Sequence, residues 1–156
     1  MKVQLNTFLQ IMEGNWISQK TTYFLKNNQV YLNQFKYILD ISTDLTFNNN
    51  VNQENFGHFN LEYHKNNIKL KDNYIFTYTN QNDLGLIKKK TRKKLSNYQY
   101  SIYASNCLMI KHKDKNVEYI EYIHKINSKF IISMALLKKS DKYIAISCSS
   151  NIKHKP

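Results

Sequence analysis

Over residues 3–13 the apolar positions are Val3, Leu5, Phe8, Leu9, Ile11 and Met12. Their spacing is close to the helical period of 3.6 and gathers most of them on one stripe. A short amphipathic helix is therefore predicted at the N-terminus, ending at Gly14. The period then drops to two. Trp16, Ser18, Lys20, Thr22 and Phe24 alternate with Ile17, Gln19, Thr21, Tyr23 and Leu25, the repeat of a strand. A turn at Lys26-Asn27-Asn28-Gln29 leads to a second strand from Val30 to Ile41. Residues 42–57 carry an Asn-rich stretch, Asn48 to Asn55, too polar to bury a face, and are expected to be loop. Further strands are predicted at Phe59–Tyr63, Tyr74–Tyr78, Tyr98–Tyr103, Cys107–His112, Val117–Ile126, Phe130–Leu137 and Tyr143–Ile152. The turns between them are marked by Lys65-Asn66-Asn67, Ser105-Asn106, Asp114-Lys115-Asn116, Asn127-Ser128 and Ser140-Asp141.

About nine strands at close spacing with no long helix between them imply an antiparallel meander, closed into a barrel or folded into a sandwich. Two of the strands decide between these. Phe130, Ile132, Met134 and Leu136 alternate with Ile131, Ser133, Ala135 and Leu137, and Val117 to Ile126 is similarly apolar on both faces. A sheet with one wet face would not show this, whereas a closed barrel covered outside by a helix or a partner would. The expected fold is thus mainly β, an up-and-down antiparallel barrel with a short N-terminal helix, forming one domain over residues 1–156. The length fits, because domains run ~100–200 residues.

Composition narrows the functional classes. No apolar run reaches the ~18–20 residues that span a bilayer, and the N-terminus lacks the apolar core of a signal peptide, so a soluble chain without a membrane partner is expected. A formal net charge of +12 ordinarily suggests a polyanionic partner. All of the 23 basic residues except Arg92 are Lys, however, and Asn, Ile and Tyr abound. These are residues with AT-rich codons, so much of the basicity reflects nucleotide composition, as in organellar genomes. The bidentate Arg fork preferred for base readout is nearly absent, which argues against nucleic acid. The densest run, Lys88-Lys89-Lys90-Thr91-Arg92-Lys93-Lys94, is either a solvated loop or a patch that steers an acidic partner. Cys107 and Cys148 stand 41 positions apart without metal-ligand spacing and are expected to be free thiols, Cys148 as a small buried hydrophobe in a strand. The five His form no HExxH and no tight pair with Cys, so no metal site is expected.

Helix, then Gly14-Asn15-Trp16 at the first strand, resembles the Gly-x-Trp signature of lipocalin-like barrels, in which the Trp plugs the closed end. The wider segment Gly14 to Thr21 (GNWISQKT) is similar to the GKWxSQRT opening of the CpcS/CpeS-type phycobiliprotein lyases. Tyr143 to Lys153 (YIAISCSSNIK) resembles that family's last strand, and Glu121-Tyr122-Ile123-His124 occupies the place of its E-R-I-W segment. The resemblance implies a lipocalin-like barrel that binds an open-chain phycobilin, phycocyanobilin or phycoerythrobilin. It would assist attachment of that pigment as a thioether to a cysteine of an apo-phycobiliprotein subunit. The nucleophile then belongs to the acceptor, so neither Cys107 nor Cys148 is required. Partners would be the bilin, the acceptor and a second copy or a related lyase subunit; phycobiliproteins are generally acidic, which suits a basic chain. The plastid stroma of an alga would account for the composition. A non-catalytic carrier or accessory subunit is the alternative, and an RNA-binding basic barrel the more distant one.

A bilin has a conjugated apolar body, two propionates and pyrrole N–H groups, so its site needs aromatic walls, cations and a carboxylate. Lys20 shares a strand face with Trp16, Ser18 and Phe24, so that face lines either the barrel mouth or its outer wall; by the resemblance Lys20 replaces a family Arg and pairs a propionate. Glu121 shares a face with Tyr119 and Ile123, and either stabilises the cationic pigment as the catalytic carboxylate or pairs a rim Lys. His124 either stacks on the chromophore or caps the barrel. Leu61-Glu62-Tyr63 aligns with a family Met-Glu-Trp stretch against the bilin, with Tyr63 as aromatic wall. The family's Arg-x-Arg propionate clamp aligns with Ile131 and Ser133, so the clamp is missing, and Lys129, Lys138, Lys139 or Lys153 could stand in without the bidentate geometry. The implied bilin-binding set is Lys20, Ser18, Leu61, Tyr63, His124, Ser133 and Lys153.

Overall fold

The computed structural model describes residues 2–42, 54–65, 68–78, 84–91 and 94–154. One helix, α1 (Lys2–Met12), precedes ten strands among these residues. They are β1 (Gly14–Phe24), β2 (Gln29–Ser42), β3 (Glu54–Lys65), β4 (Ile68–Tyr78), β5 (Leu84–Lys90), β6 (Leu95–Ala104), β7 (Cys107–Asp114), β8 (Val117–Asn127), β9 (Phe130–Lys139) and β10 (Lys142–His154). Each pairs antiparallel with its sequence neighbours, and β1 pairs with β10 from Asn15↔His154 to Phe24↔Ala145, which closes the barrel. Among the described strands, closure leaves no unpaired sheet edge.

The helix plugs one end. Leu5, Phe8 and Leu9, spaced as one helical stripe, are buried against Trp16, Phe76, Tyr100, Leu108 and Ile131 from the strands. Trp16 is only 1% exposed, and its indole Nε1 donates to the Met12 carbonyl at 2.8 Å. Lys153 donates to the Ile11 carbonyl at 3.1 Å and lies 5.2 Å from the Trp16 ring centre. Two carbonyls left without partners at the helix C-terminus are thereby satisfied, one by a cation suited to the helix dipole. Gly14 between helix and strand has φ +125°, and a Cβ there would lie 2.9 Å from Lys153 Cε. Gly85 serves differently: a Cβ would fall 2.1 Å from the Tyr100 ring, so its absence lets that ring lie against β5. Asn28, Lys115, Ser140 and Asp141 have positive φ in the tight turns.

Strand β5 corrects one expectation. Lys88, Lys89 and Lys90 belong to it rather than to a solvated loop, while Arg92 and Lys93 lie outside the described residues. Lys89 shares the inward face with Gly85 and Ile87, and its Nζ is 3.0 Å from Asp72 Oδ2 on β4. That buried carboxylate provides the charge that holds a lysine inside the wall. A second correction is Cys148, which is exposed because β10 turns its odd-numbered residues inward. Cys107 is buried, and both thiols are free. The Asn-rich stretch lies outside the described residues except for Glu54-Asn55, which opens β3, and Asn66-Asn67 of the expected turn lie outside them too.

Candidate functional site

Above the helical plug the barrel is hollow, with a cavity of about 280 Å³ that opens to solvent. Its floor is apolar, made by Leu9 and Met12 of α1 with Phe76, Leu108, Ile123 and Ile131 of the strands. Phe35 and Tyr37 of β2 supply an aromatic wall, their ring centres 6.0 Å apart, and Tyr37 stacks towards Trp16 at 6.5 Å and 14°. Tyr74 of β4 adds a third ring.

A strip of neutral polar groups runs along β1, β9 and β10. Ser133 and Ser149 share a hydrogen bond of 2.6 Å. Asn151 donates from Nδ2 to the Ile131 carbonyl at 3.3 Å and accepts at Oδ1 from the Tyr37 hydroxyl at 3.3 Å. Ser18, buried, lies opposite Asn151 in the β1–β10 register. Barrel closure makes this strip, because it seats β10 between β9 and β1, and all three turn polar positions inward.

Among the described lining residues the charged groups are Lys20 of β1 and Glu121 of β8. Tyr119 donates from its hydroxyl to Glu121 Oε2 at 2.7 Å, which aims the carboxylate. Burial, and then the negative charge of Glu121, pushes the Tyr119 hydroxyl well above the ordinary tyrosine pKa, so it stays a donor. Burial and then Glu121 act on Tyr37 in the same direction. Lys20 has no hydrogen bond or ion pair to a described residue, which leaves its ammonium available to an anion in the cavity. Beside the cavity, burial disfavours the charged form of Lys89, but the Tyr74 hydroxyl and Asp72 outweigh it and raise its pKa. The Tyr74 hydroxyl is itself raised, by burial first and against the opposing pull of Lys89.

Five of the residues singled out in the sequence, Lys20, Ser18, Leu61, Glu121 and Ser133, line this one cavity. Ile131 lines it as well, so both positions aligned with the missing Arg pair are wall positions. His124 is elsewhere: it projects from the opposite face of β8, with Nε2 3.6 Å from Cys107 Sγ. Lys153 caps the helix at the closed end. The backbone of Tyr63 pairs with Tyr37, and its side chain lies outside the described residues. Sequence reasoning missed Phe35, Tyr37, Tyr74, Ser149 and Asn151. Their period-two spacing was visible, but polar residues such as Ser149 and Asn151 read as solvent-facing until closure turns them inward. Among the described residues, no cluster of three or more His, Cys, Asp or Glu could hold a metal ion.

This geometry matches known proteins. No family model matches the chain. The structure of an S-type phycobiliprotein lyase, CPES, from Guillardia theta superposes with a TM-score of 0.65 at 11% identity, covering 99% of this chain and 97% of that one. A DUF3598-family protein of unknown function from Nostoc punctiforme gives 0.58 at 11% identity, covering 94% of this chain and 49% of that one. At such identities the likeness concerns the fold, a lipocalin-like barrel. Sequence carries the rest. A curated chromophore lyase CpcS/CpeS homolog from Gracilaria tenuistipitata var. liui is 34% identical over 149 residues, 93% of this chain and 94% of that protein. With two ends and a central segment resembling that family and a relative matched over nearly its full length, the chain belongs to the CpcS/CpeS chromophore lyase family.

Proposed function

We infer that this protein is a phycobiliprotein chromophore lyase, which binds an open-chain bilin and assists its attachment to a cysteine of an apo-phycobiliprotein subunit. The observation that carries this is one cavity whose wall combines aromatic rings, an ammonium at Lys20 without a partner among the described residues, and a carboxylate at Glu121. The floor and rings accept the conjugated body and exclude water from it. Lys20 pairs a propionate. Glu121, oriented by Tyr119, accepts hydrogen bonds from pyrrole N–H groups and favours the protonated pigment, in which the ring A ethylidene is more electrophilic. The acceptor sulfur then bonds to the ethylidene carbon, the double bond opens, and a proton equivalent to the thiol's is taken up by ring A. Nothing leaves. Holding the pigment in one conformation supplies most of the acceleration.

Phycocyanobilin and phycoerythrobilin are the pigments to test, and the residue skew towards AT-rich codons supports work in an algal plastid stroma. Titrating the purified protein with each pigment should shift and sharpen its visible absorbance. An unchanged spectrum at excess protein would remove the assignment. The absence of the Arg pair, with Ile131 and Ser133 in its place, favours a second reading as a carrier or accessory subunit. Co-expression with bilin-synthesis enzymes and an acceptor subunit separates the two: a covalent adduct supports the lyase, and binding without one supports the carrier.

A further inference from the structure

Strands β9 and β10 carry polar residues among their inward positions and apolar residues on their outer face. Ser133, Ser149 and Asn151 point into the cavity, while Ile132 and Met134 on β9 and Ile146 and Ile152 on β10 point out. The register joins the outward residues into one surface. Met134 lies between Tyr122 of β8 and Cys148 of β10, and Leu136 between Ile120 and Ile146. Tyr103 of β6 extends it, packing edge-on to Tyr122 with ring centres 6.3 Å apart. Helix α1 is used up at the barrel end, and the surface stays open: Ile132 is 37% exposed, Met134 40%, Ile152 58% and Tyr103 73%. A contiguous apolar patch of this kind marks an interaction site.

Its border indicates the partner's charge. Lys111 and Lys113 of β7 and Lys138 of β9 share the outward side, and the neighbouring carboxylate, Glu118, is already 3.8 Å from Lys138. A second copy would bring like-charged borders together, on a chain of net +12. An acidic surface with an apolar centre is complementary at both border and centre.

We propose that the outer wall of β8–β10 docks an acidic protein and, resting on the function inferred above, that this protein is the acceptor apo-phycobiliprotein. The same three strands carry Glu121, Ser133 and Asn151 on their inner face, so a seated acceptor is one sheet away from the bound pigment.

The test measures binding of the full chain to apo-phycobiliprotein subunits, wild type against Ile132→Glu/Met134→Glu, with bilin absorbance recorded on the same samples. Acceptor affinity is expected to fall by about tenfold or more in the variant, with bilin absorbance unchanged. Wild-type affinity should fall as salt is raised. Should the glutamates unfold the strand pair, as circular dichroism would show, Ile132→Thr/Met134→Ser replaces them with the same expected direction. Undiminished acceptor binding by a variant that still binds bilin overturns the proposal. So does a wild type that binds bilin but no acceptor subunit. A wild-type dimer that the variant dissociates, seen by sedimentation, would assign the wall to a second copy and overturn it too. A flat bilin titration of the wild type is a separate failure, that of the inferred function.

Discussion

Glu121 and Lys20 lie three strands apart through β9 and β10, roughly 14 Å along the wall at ~4.8 Å per strand. A ligand must therefore be extended to meet both. Glu121→Gln keeps the shape and the bond from Tyr119 but removes the charge that stabilises a protonated pigment. Transfer to the acceptor should slow by about 100-fold, measured as the rate of covalent adduct formation, and the bound bilin should absorb like the neutral pigment. Lys20→Met removes a charge-assisted bond worth about 1.5–3 kcal/mol, so bilin affinity should fall by about tenfold to a hundredfold. The dimethyl ester of the same bilin, which has no propionate charge, should bind both forms alike; an equal loss for the ester would make Lys20 a packing residue only. Strand alternation alone places Ser18 and Lys20 on one face, and Ser133 and Glu121 on theirs. Alternation alone did not separate Lys20 from Lys153, which occupy equivalent inward positions on adjacent strands. The difference is depth: Lys153 pairs in register with Trp16 at the plugged end, and the helix carbonyls claim it.

At the scale of elements, helix α1 and the strands of the C-terminal half match their predicted places because each has a clean period and a turn signal. Strand β5 does not, for a physical reason. Its apolar half, Leu84 to Ile87, is short, and of the lysines that follow Lys88 and Lys90 are exposed, whereas the inward Lys89 would be expelled from the wall unless something paid for its burial. Asp72 of the neighbouring strand β4, a position that the sequence around β5 does not reveal, does so with its carboxylate 3.0 Å from the Lys89 ammonium. Lys89→Met would leave that carboxylate buried without its partner. Stability should drop by about 2–3 kcal/mol, below the usual loss for a fully buried pair because the Lys89 side chain is 26% exposed. Urea unfolding measures this, and Asp72→Leu/Lys89→Met should recover most of the loss, since replacing both partners is far less costly than stranding one.

For the whole molecule, closure sets both the cavity and its response to pH. Tyr37, Tyr74 and Tyr119 all hold their protons more tightly when folded than the ordinary tyrosine value of about 10, chiefly because burial penalises the phenolate. Above that pH the folded state binds more protons than the unfolded one, so stability is complete below about pH 10 and declines as pH rises through the raised values. Urea midpoints followed by circular dichroism should be flat up to about pH 10 and fall beyond it, with these three tyrosines ionising only as the barrel opens. If all the tyrosines ionise near pH 10 in a barrel that stays folded, the burial account is wrong. The sequence alone determined the local and periodic features: the helix, the strand alternation, the turns, the Trp16 plug and the family likeness, because each depends on residues close together in the chain. Only the tertiary structure decided which face of each strand is inside. That choice follows from joining β1 to β10, a contact between the two ends of the chain, and it turned Ser149 and Asn151 into cavity lining and Ile132 and Met134 into an exposed wall.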